Sequence, residues 1–249
     1  MYQTVTALYF SPTGNTRKSV EAMAKAITPQ IQSVDLTALK PVEPHTFSAQ
    51  DLVIFGAPVY GGRIPAVARQ RFLNFQGQGT PCLVAVTYGN RDFDDALLEL
   101  AELAASQGFV VKGAAALVGR HTYGEIQTQR PDEADLQMDQ AFARKAIEND
   151  EGKTISIPGN HPYKDGGAGG SFRPLTSEKC VKCGLCVKQC PVGAIGEDCK
   201  TIQECCIACF RCIRTCPTGA KNMKEPNYQA FAVSFTQRLQ QRKENQYFL

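Results

Sequence analysis

The chain has 249 residues, of which 43% are hydrophobic and 20% are charged, and its formal net charge is +3. This length fits one large or two small domains, and the ordinary apolar content argues against extensive disorder. The small net charge gives no support for nucleic-acid binding. Because no apolar run approaches the ~18 residues of a membrane helix, and the start lacks a basic leader with a cleavage site, we expect neither a membrane span nor secretion.

The first part of the chain alternates apolar strand patterns with helix patterns. Strands are predicted at 4–10, 31–36, 51–56, 82–87 and 109–118, and helices at 15–27, 64–75, 92–107 and 132–150. Apolar strands separated by helices predict an α/β domain with a parallel sheet covered on both faces. In such sheets ligands bind at the carboxyl ends of the strands, so the loops after the first, third and fourth strands form the candidate site.

The loop after the first strand carries hydroxyl side chains around a glycine. Its residues are Ser11, Pro12, Thr13, Gly14, Asn15 and Thr16, and a predicted helix follows. Free N–H groups at a helix start, together with hydroxyls, favour an anion. The loop matches neither the GxGxxG dinucleotide pattern nor the nucleotide-binding P-loop. An ordinary helix cap would need only one hydroxyl, so the loop predicts a phosphate site.

The other two loops each place an aromatic side chain beside glycines, which let backbone approach a flat ligand. Their residues are Pro58, Val59, Tyr60, Gly61, Gly62 and Arg63 after the third strand, and Thr87, Tyr88, Gly89, Asn90, Arg91 and Asp92 after the fourth. With the hydroxyl loop they resemble a flavodoxin-like domain over residues 1–150. The resemblance implies strand order 2-1-3-4-5 in a doubly wound five-stranded sheet. It also implies FMN, with its phosphate on Ser11, Thr13, Gly14, Asn15 and Thr16 and its ring between the other two loops.

Two residues after the fifth strand, His121 and Tyr123, could face such a flavin as proton donors. The alternative, which we favour, is that they are solvent-exposed loop residues. A connection rich in glycine and proline follows at 151–172, and we expect it to be flexible around residues 166–170.

Ten of the eleven cysteines lie between Cys180 and Cys216. The pattern C-x2-C-x2-C-x3-C-P starts at Cys180 and again, 26 residues later, at Cys206, and both copies continue as Pro-x-Gly-Ala. In such runs three thiolates hold one cubane and the fourth holds the other. The predicted ligand sets are Cys180, Cys183, Cys186 and Cys216 for one 4Fe–4S cluster, and Cys206, Cys209, Cys212 and Cys190 for the second. Zinc, the competing metal, usually takes separated C-x2-C pairs.

The register makes Cys206 a ligand and leaves Cys199 and Cys205 spare, while Cys82 opens an apolar strand and is expected in the core. Residues 173–224 resemble a bacterial two-cluster ferredoxin, which implies a small α+β domain. One departure is Phe210, which stands where the first copy has Gly184. Residues 225–249 are predicted to form a C-terminal helix whose aromatic stripe docks on the body of the protein.

The whole chain resembles the flavodoxin–ferredoxin fusion proteins of anaerobic bacteria. This resemblance implies an electron-transfer protein that relays single electrons between two 4Fe–4S clusters and FMN. The alternative is an FMN-dependent reductase of a small substrate that receives electrons from its own ferredoxin domain. A third hypothesis, a redox sensor, has no support because the sequence contains no DNA-binding motif. The expected partners are low-potential redox proteins such as ferredoxins or ferredoxin-reducing oxidoreductases, with no nucleic acid and no membrane. The free cysteines favour a reducing compartment, so we expect a cytoplasmic location.

Overall fold

The computed structural model describes residues 2–148 and 155–249. The elements of the first part, in chain order, are β1 (Val5–Tyr9), α1 (Asn15–Ile27), β2 (Gln32–Asp35), β3 (His45–Phe47), β4 (Leu52–Pro58), α2 (Ala66–Phe72), β5 (Phe75–Gly77), β6 (Thr80–Tyr88), α3 (Ala96–Ser106), β7 (Phe109–Val118) and α4 (Glu133–Ile147). Those of the second part are β8 (Leu175–Thr176), α5 (Leu185–Lys188), α6 (Arg211–Arg214), β9 (Lys221–Asn222), α7 (Pro226–Arg238) and β10 (Gln246–Phe248).

A sheet with the order β10-β7-β6-β4-β1-β2 forms the centre of the first part. The pairs from β2 to β7 are parallel, so the five predicted strands are confirmed in the predicted order. Helices α2 and α3 contribute to the core on one face and α1 and α4 to the core on the other. This covering on both faces explains why the central strands are apolar along their whole length.

The sixth strand corrects the expectation of a C-terminal helix running to residue 249. Helix α7 ends at Arg238, and β10 pairs antiparallel with β7, with Tyr247 opposite Ala115. Just beyond the helix, the side chain of Asn90 donates hydrogen bonds to the backbone oxygens of Leu239 and Gln241, at 2.8 and 2.7 Å. Pairing with the otherwise open edge of β7 then provides hydrogen-bond partners for the backbone of β10.

Two further differences concern short elements of the first part. Strands β3 and β5 form a separate parallel pair that the sequence did not predict. Helix α4 begins with a capping box in which Asp132 and Asp135 bond each other's backbone amides, as its acidic start favours. Its predicted end at residue 150 lies outside the described residues.

The glycine-rich connection packs against both parts of the chain, in contrast to the predicted flexibility around residues 166–170. The amide of Gly167 donates to the backbone oxygen of Tyr60 at 2.8 Å. A Cβ on Gly166 would lie 2.6 Å from the backbone oxygen of Gly61, and one on Gly169 would collide with the backbone of Ile207. These glycines therefore permit a close approach between backbones.

Two arginines hydrogen-bond across the boundary between the two parts. Arg71, which is buried on α2, donates to the backbone oxygen of Pro191 at 2.6 Å. Arg211, on α6 of the cysteine-rich part, donates to the backbone oxygen of Pro12 in the first part of the chain at 3.1 Å. The cysteine-rich part is thus fixed directly against the loop that follows β1. None of the helices in the described ranges is long and apolar enough to cross a membrane.

Candidate functional site

A cleft of about 270 Å³ lies at the carboxyl ends of β1, β4, β6 and β7. Three predicted loops meet there, as the sheet topology requires. The predicted residues that line the cleft are Ser11, Pro12, Thr13, Asn15, Thr16, Pro58, Val59, Tyr60, Gly61, Thr87, Tyr88, Gly89 and Arg91.

The start of α1 offers unpaired donors to this cleft. Gly14 is the N-cap residue with φ +90° and makes no side-chain cap, so the amides of Asn15 and Thr16 have no partner within the helix. The hydroxyl oxygen of Ser11 accepts from the amide of Arg17 at 3.0 Å, which leaves its own proton free to donate. The hydroxyl of Thr87, also in the cleft wall, is buried with no hydrogen-bond partner. A flavin phosphate and its polar chain would satisfy these groups, so the residues present fit FMN.

Five predicted residues do not line the cleft: Gly14, Gly62, Arg63, Asn90 and Asp92. Arg63 forms a bidentate ion pair with the buried carboxylate of Glu99, with both N···O distances at 2.7 Å. Asn90 anchors the segment after α7, as described above, and the carboxylate of Asp92 accepts from the amide of Asp94 at 3.1 Å. Gly62, with φ +88°, packs against Asp94. The side chains of Arg63, Asn90 and Asp92 therefore stabilise the loops, and contact of the five residues with the flavin stays a prediction.

The loop after β7 forms a further wall of the cleft. The sequence left two roles open for its residues His121 and Tyr123. His121 and Tyr123 line the cleft and are only partly exposed, so the favoured alternative of solvent-exposed residues is wrong. Burial lowers the pKa of His121 to about 4, and its Nδ1 accepts from the amide of Tyr123 at 2.8 Å. The ring is thus neutral at pH 7. Burial also raises the pKa of Tyr123 to about 12, so this residue keeps its phenolic proton.

The remaining walls come from segments far away in the sequence. Gly169 and Gly170 of the connection, Ile207 and Ala208 before α6, and Phe231 and Phe235 of α7 complete the cleft. The aromatic spacing of α7 signalled a docking face, but no local pattern indicated that this face covers the cleft.

The eight predicted cysteine ligands surround two further cavities. The proximal cavity is lined by Cys190, Cys206, Cys209 and Cys212. The distal cavity is lined by Cys180, Cys183, Cys186 and Cys216, with Cys199 beside them. Each cavity thus receives three thiols from one run and the Cys-Pro thiol from the other, which is the arrangement predicted from the spacing.

The chemistry of these cavities fits iron–sulfur clusters. None of the cysteines forms a disulfide. Among the described residues no three potential ligands converge closely enough for a single metal ion, whereas a multi-iron cluster requires thiols around a cavity. Burial raises the pKa of Cys209 and that of Cys212 to about 12, so bound iron, rather than water, would have to stabilise their thiolates.

The cleft and the proximal cavity share a wall. Ile207 and Ala208 line both of them. Burial raises the pKa of Tyr60 in the cleft well above its usual value, and the nearby thiols of Cys209 and Cys206 raise it further. Phe210, the residue that departs from the ferredoxin pattern, lies with its ring centroid 5.2 Å from that of Tyr123. The flavodoxin-like and cysteine-rich parts therefore meet between their two sites.

Comparison with known families agrees with this division. Residues 7–77 match the family model of a flavodoxin domain, and residues 175–196 match that of a 4Fe-4S binding domain. The chain thus carries a flavodoxin domain followed by a 4Fe–4S binding domain, which implies FMN and at least one 4Fe–4S cluster. No curated protein matches the chain.

Three similar solved structures are flavodoxins. A flavodoxin from the domain Archaea is 16% identical, with 59% of this chain and 97% of that chain covered and a TM-score of 0.41. Oxidised flavodoxin 2 from Bacillus cereus is 16% identical, with coverage of 58% and 98% and a TM-score of 0.44. Flavodoxin 1 from the same organism is 14% identical, with coverage of 58% and 97% and a TM-score of 0.42.

Proposed function

We propose that this protein relays single electrons between two 4Fe–4S clusters and FMN. The observation that carries the proposal is the wall of Ile207 and Ala208, which separates the cleft from the proximal cavity. FMN supplies one- or two-electron chemistry when bound, and each cluster supplies one-electron chemistry. The chain's own residues would hold these groups side by side and keep water from the path between them.

The surface of the cysteine-rich part supports entry of electrons at the distal cavity. Cys183 there is exposed and its neighbour Val181 is 67% exposed, whereas Cys190 and Cys209 of the proximal cavity are buried. An electron that enters at the exposed distal cavity would therefore pass through the proximal cavity to the cleft.

Charge around the distal cavity suggests the kind of partner. Lys179, Lys182 and Lys188 are exposed there, and Glu178 is the single acidic residue between positions 177 and 190. A lysine-rich rim favours an acidic surface on the partner. We infer that the partners are low-potential redox proteins with such a surface, ferredoxins or ferredoxin-reducing oxidoreductases. Free thiols in this number would persist in a reducing compartment, for which we propose the cytoplasm.

A stopped-flow experiment under anaerobic conditions tests the relay. Reduced ferredoxin serves as the electron donor, and cluster and flavin absorbance are followed separately. In the wild-type protein cluster bleaching should precede flavin bleaching. Cys209→Ser should remove the proximal cluster, leave bleaching of the distal cluster intact and slow flavin reduction at least tenfold.

Cys205→Ser is the matched control, because Cys205 is exposed and lines neither cavity. It should leave all rates unchanged. Flavin reduction as fast in Cys209→Ser as in the wild type would show that electrons reach the flavin without the proximal cluster, and would contradict the relay.

A further inference from the structure

The internal duplication allows the two cavities to be compared position by position. Each Cys-Pro-x-Gly-Ala copy is followed by one residue, Ile195 in the first and Lys221 in the second. Ile195 is buried and lines the proximal cavity, whereas Lys221 is buried and lines the distal cavity. The same position in the repeat thus gives one cavity an apolar wall and the other an amine.

The side chain of Lys221 is buried without a partner. Only 3% of the residue is exposed, and its Nζ has no hydrogen bond to any described residue. Burial of an unpaired ammonium group is unfavourable by several kcal/mol, so buried lysines normally have an anion beside them. The acidic residue that interacts with its charge is Asp198, whose carboxylate is at the surface and bonds the hydroxyl and the amide of Thr201.

The thiols of the cysteine-rich part are the other groups that respond to this charge. Burial raises the pKa of Cys186 in the distal cavity and that of Cys212 in the proximal cavity, and the charge of Lys221 opposes both shifts in part. The amide of Lys221 also donates to the thiol of Cys216, a further residue of the distal cavity. A thiolate-bound cluster in the distal cavity would supply the anion that the ammonium group lacks.

We propose that Lys221 makes the two clusters unequal by raising the reduction potential of the distal cluster above that of the proximal one. This inference rests on the two-cluster function proposed above. Reduction adds one electron from the redox partner and hence one negative charge to the cluster, and a neighbouring ammonium group stabilises that charge in a site of low dielectric constant. The proximal cluster has Ile195 at the equivalent position, so no ammonium group lies in the wall of its own cavity. An electron that enters at the exposed distal site therefore resides there first, and the two clusters fill in a fixed order.

The test is an anaerobic redox titration of the full-length holoprotein, followed by electron paramagnetic resonance, together with iron analysis. The wild-type protein should show two separate reduction steps. Lys221→Ile, which copies the residue of the other repeat, should shift the first step to lower potential until the two steps overlap. Lys224→Ile, at an exposed position three residues further on, is the matched control and should leave both steps in place.

The reciprocal variant Ile195→Lys decides the question if Lys221→Ile loses iron. It should move the second step to higher potential. The role of Lys221 would be overturned if Lys221→Ile kept its full iron content and its reduction steps did not shift. It would also be overturned if the second step did not shift in Ile195→Lys. A wild-type iron content near four instead of about eight would overturn the two-cluster function itself and, with it, this inference, so the two failures are distinguishable.

Discussion

His121 lines the cleft as a neutral ring, because burial holds its pKa near 4 instead of the ordinary 6.5. In the unfolded chain His121 takes up a proton near pH 6.5, whereas in the folded protein it stays neutral until the pH approaches 4. The folded state therefore loses stability as the pH falls from about 6.5 towards 4, and the contribution is fully present above that range.

We predict that the ring of His121 does not titrate between pH 8 and pH 5.5, since its pKa is about 4. Nuclear magnetic resonance of the ring protons checks this, with His45→Gln and His161→Gln variants to assign the signals. A midpoint near 6.5 for His121 would mean that the cleft is far more hydrated than its packing against Phe235, at a ring-centroid distance of 5.0 Å, indicates.

The adjacent pair Cys205 and Cys206 gives a second prediction. Cys206 lines the proximal cavity, whereas Cys205 is exposed with its thiol near the backbone oxygen of Val192. Cys205→Ser should therefore keep about eight irons per chain, and Cys206→Ser should lose the proximal cluster and keep about four. Iron and sulfide analysis of the purified proteins measures both. Equal losses from the two variants would place the ligand register elsewhere.

Individual residues differ in how far the sequence predicts their roles. The cysteine ligands follow from spacing alone, since the runs specify which thiols share a cavity. Asn90 lies in a loop whose neighbours line the cleft, but its side chain turns away to hold the chain after α7. Lys221 looks like a surface lysine in the sequence. Only the fold brings it to the wall of the distal cavity, because its burial depends on pairing between β8 and β9.

At the scale of elements, the parallel strands were predictable because each is apolar throughout. Strand β10 was not predictable from the sequence, because three residues are too few to show the alternation of a strand. Its apolar side chains also continue the aromatic pattern of α7. Its place is set by tertiary contacts. The hydroxyl of Tyr247 donates to Asp139 on α4 at 2.7 Å, and the carboxamide oxygen of Asn245 accepts from the amide of Val118 at 2.8 Å.

Asn90→Ala should loosen this C-terminal segment. The variant leaves the backbone oxygens of Leu239 and Gln241 without their donor, and the amide of Lys243 without its acceptor. We expect the free energy of unfolding to fall by about 2–4 kcal/mol and hydrogen exchange to accelerate in β10.

Denaturant unfolding of the holoprotein measures this loss, with Asn227→Ala, at an exposed position on α7, as control. FMN affinity distinguishes the anchoring role from the ligand role predicted from the sequence. A loss of affinity without loss of stability would restore Asn90 as a flavin ligand.

At the scale of the whole molecule, α7 covers the cleft with Phe231 and Phe235. A hydride donor would need access to the flavin from a side that these rings and Tyr123 line. No GxGxxG loop follows any predicted strand. NADH and NADPH should therefore reduce the flavin slowly or not at all, while a low-potential one-electron donor reduces it through the clusters.

Stopped-flow spectra under anaerobic conditions test this, with Phe231→Ala and Phe235→Ala as variants that open the wall. Faster reduction by NADH in these variants would show that the aromatic rings limit access. Rapid flavin reduction by NADH in the wild-type protein would contradict the carrier function and favour the reductase.

The contacts across the boundary also predict that the two parts bind each other without a covalent link. Residues 1–148 and 155–249, produced as separate chains, should purify as a complex, because Arg71, Arg211 and β10 all reach across. A second chain that ends at residue 245 lacks β10 and should bind at least tenfold more weakly. Calorimetry measures the binding of residues 1–148 to each version of the second chain. Equal affinity for the version that ends at residue 249 and the version that ends at residue 245 would show that pairing of β10 does not contribute to the affinity.

The antiparallel strand β10 also gives the protein an order of assembly. A sheet that begins before the cysteine runs is completed after them, so the edge of β7 stays open while the ribosome synthesises every cluster ligand. Until β10 pairs, this edge is open to strands of other chains, so the sheet is protected against such pairing only after the cysteine-rich part has been synthesised.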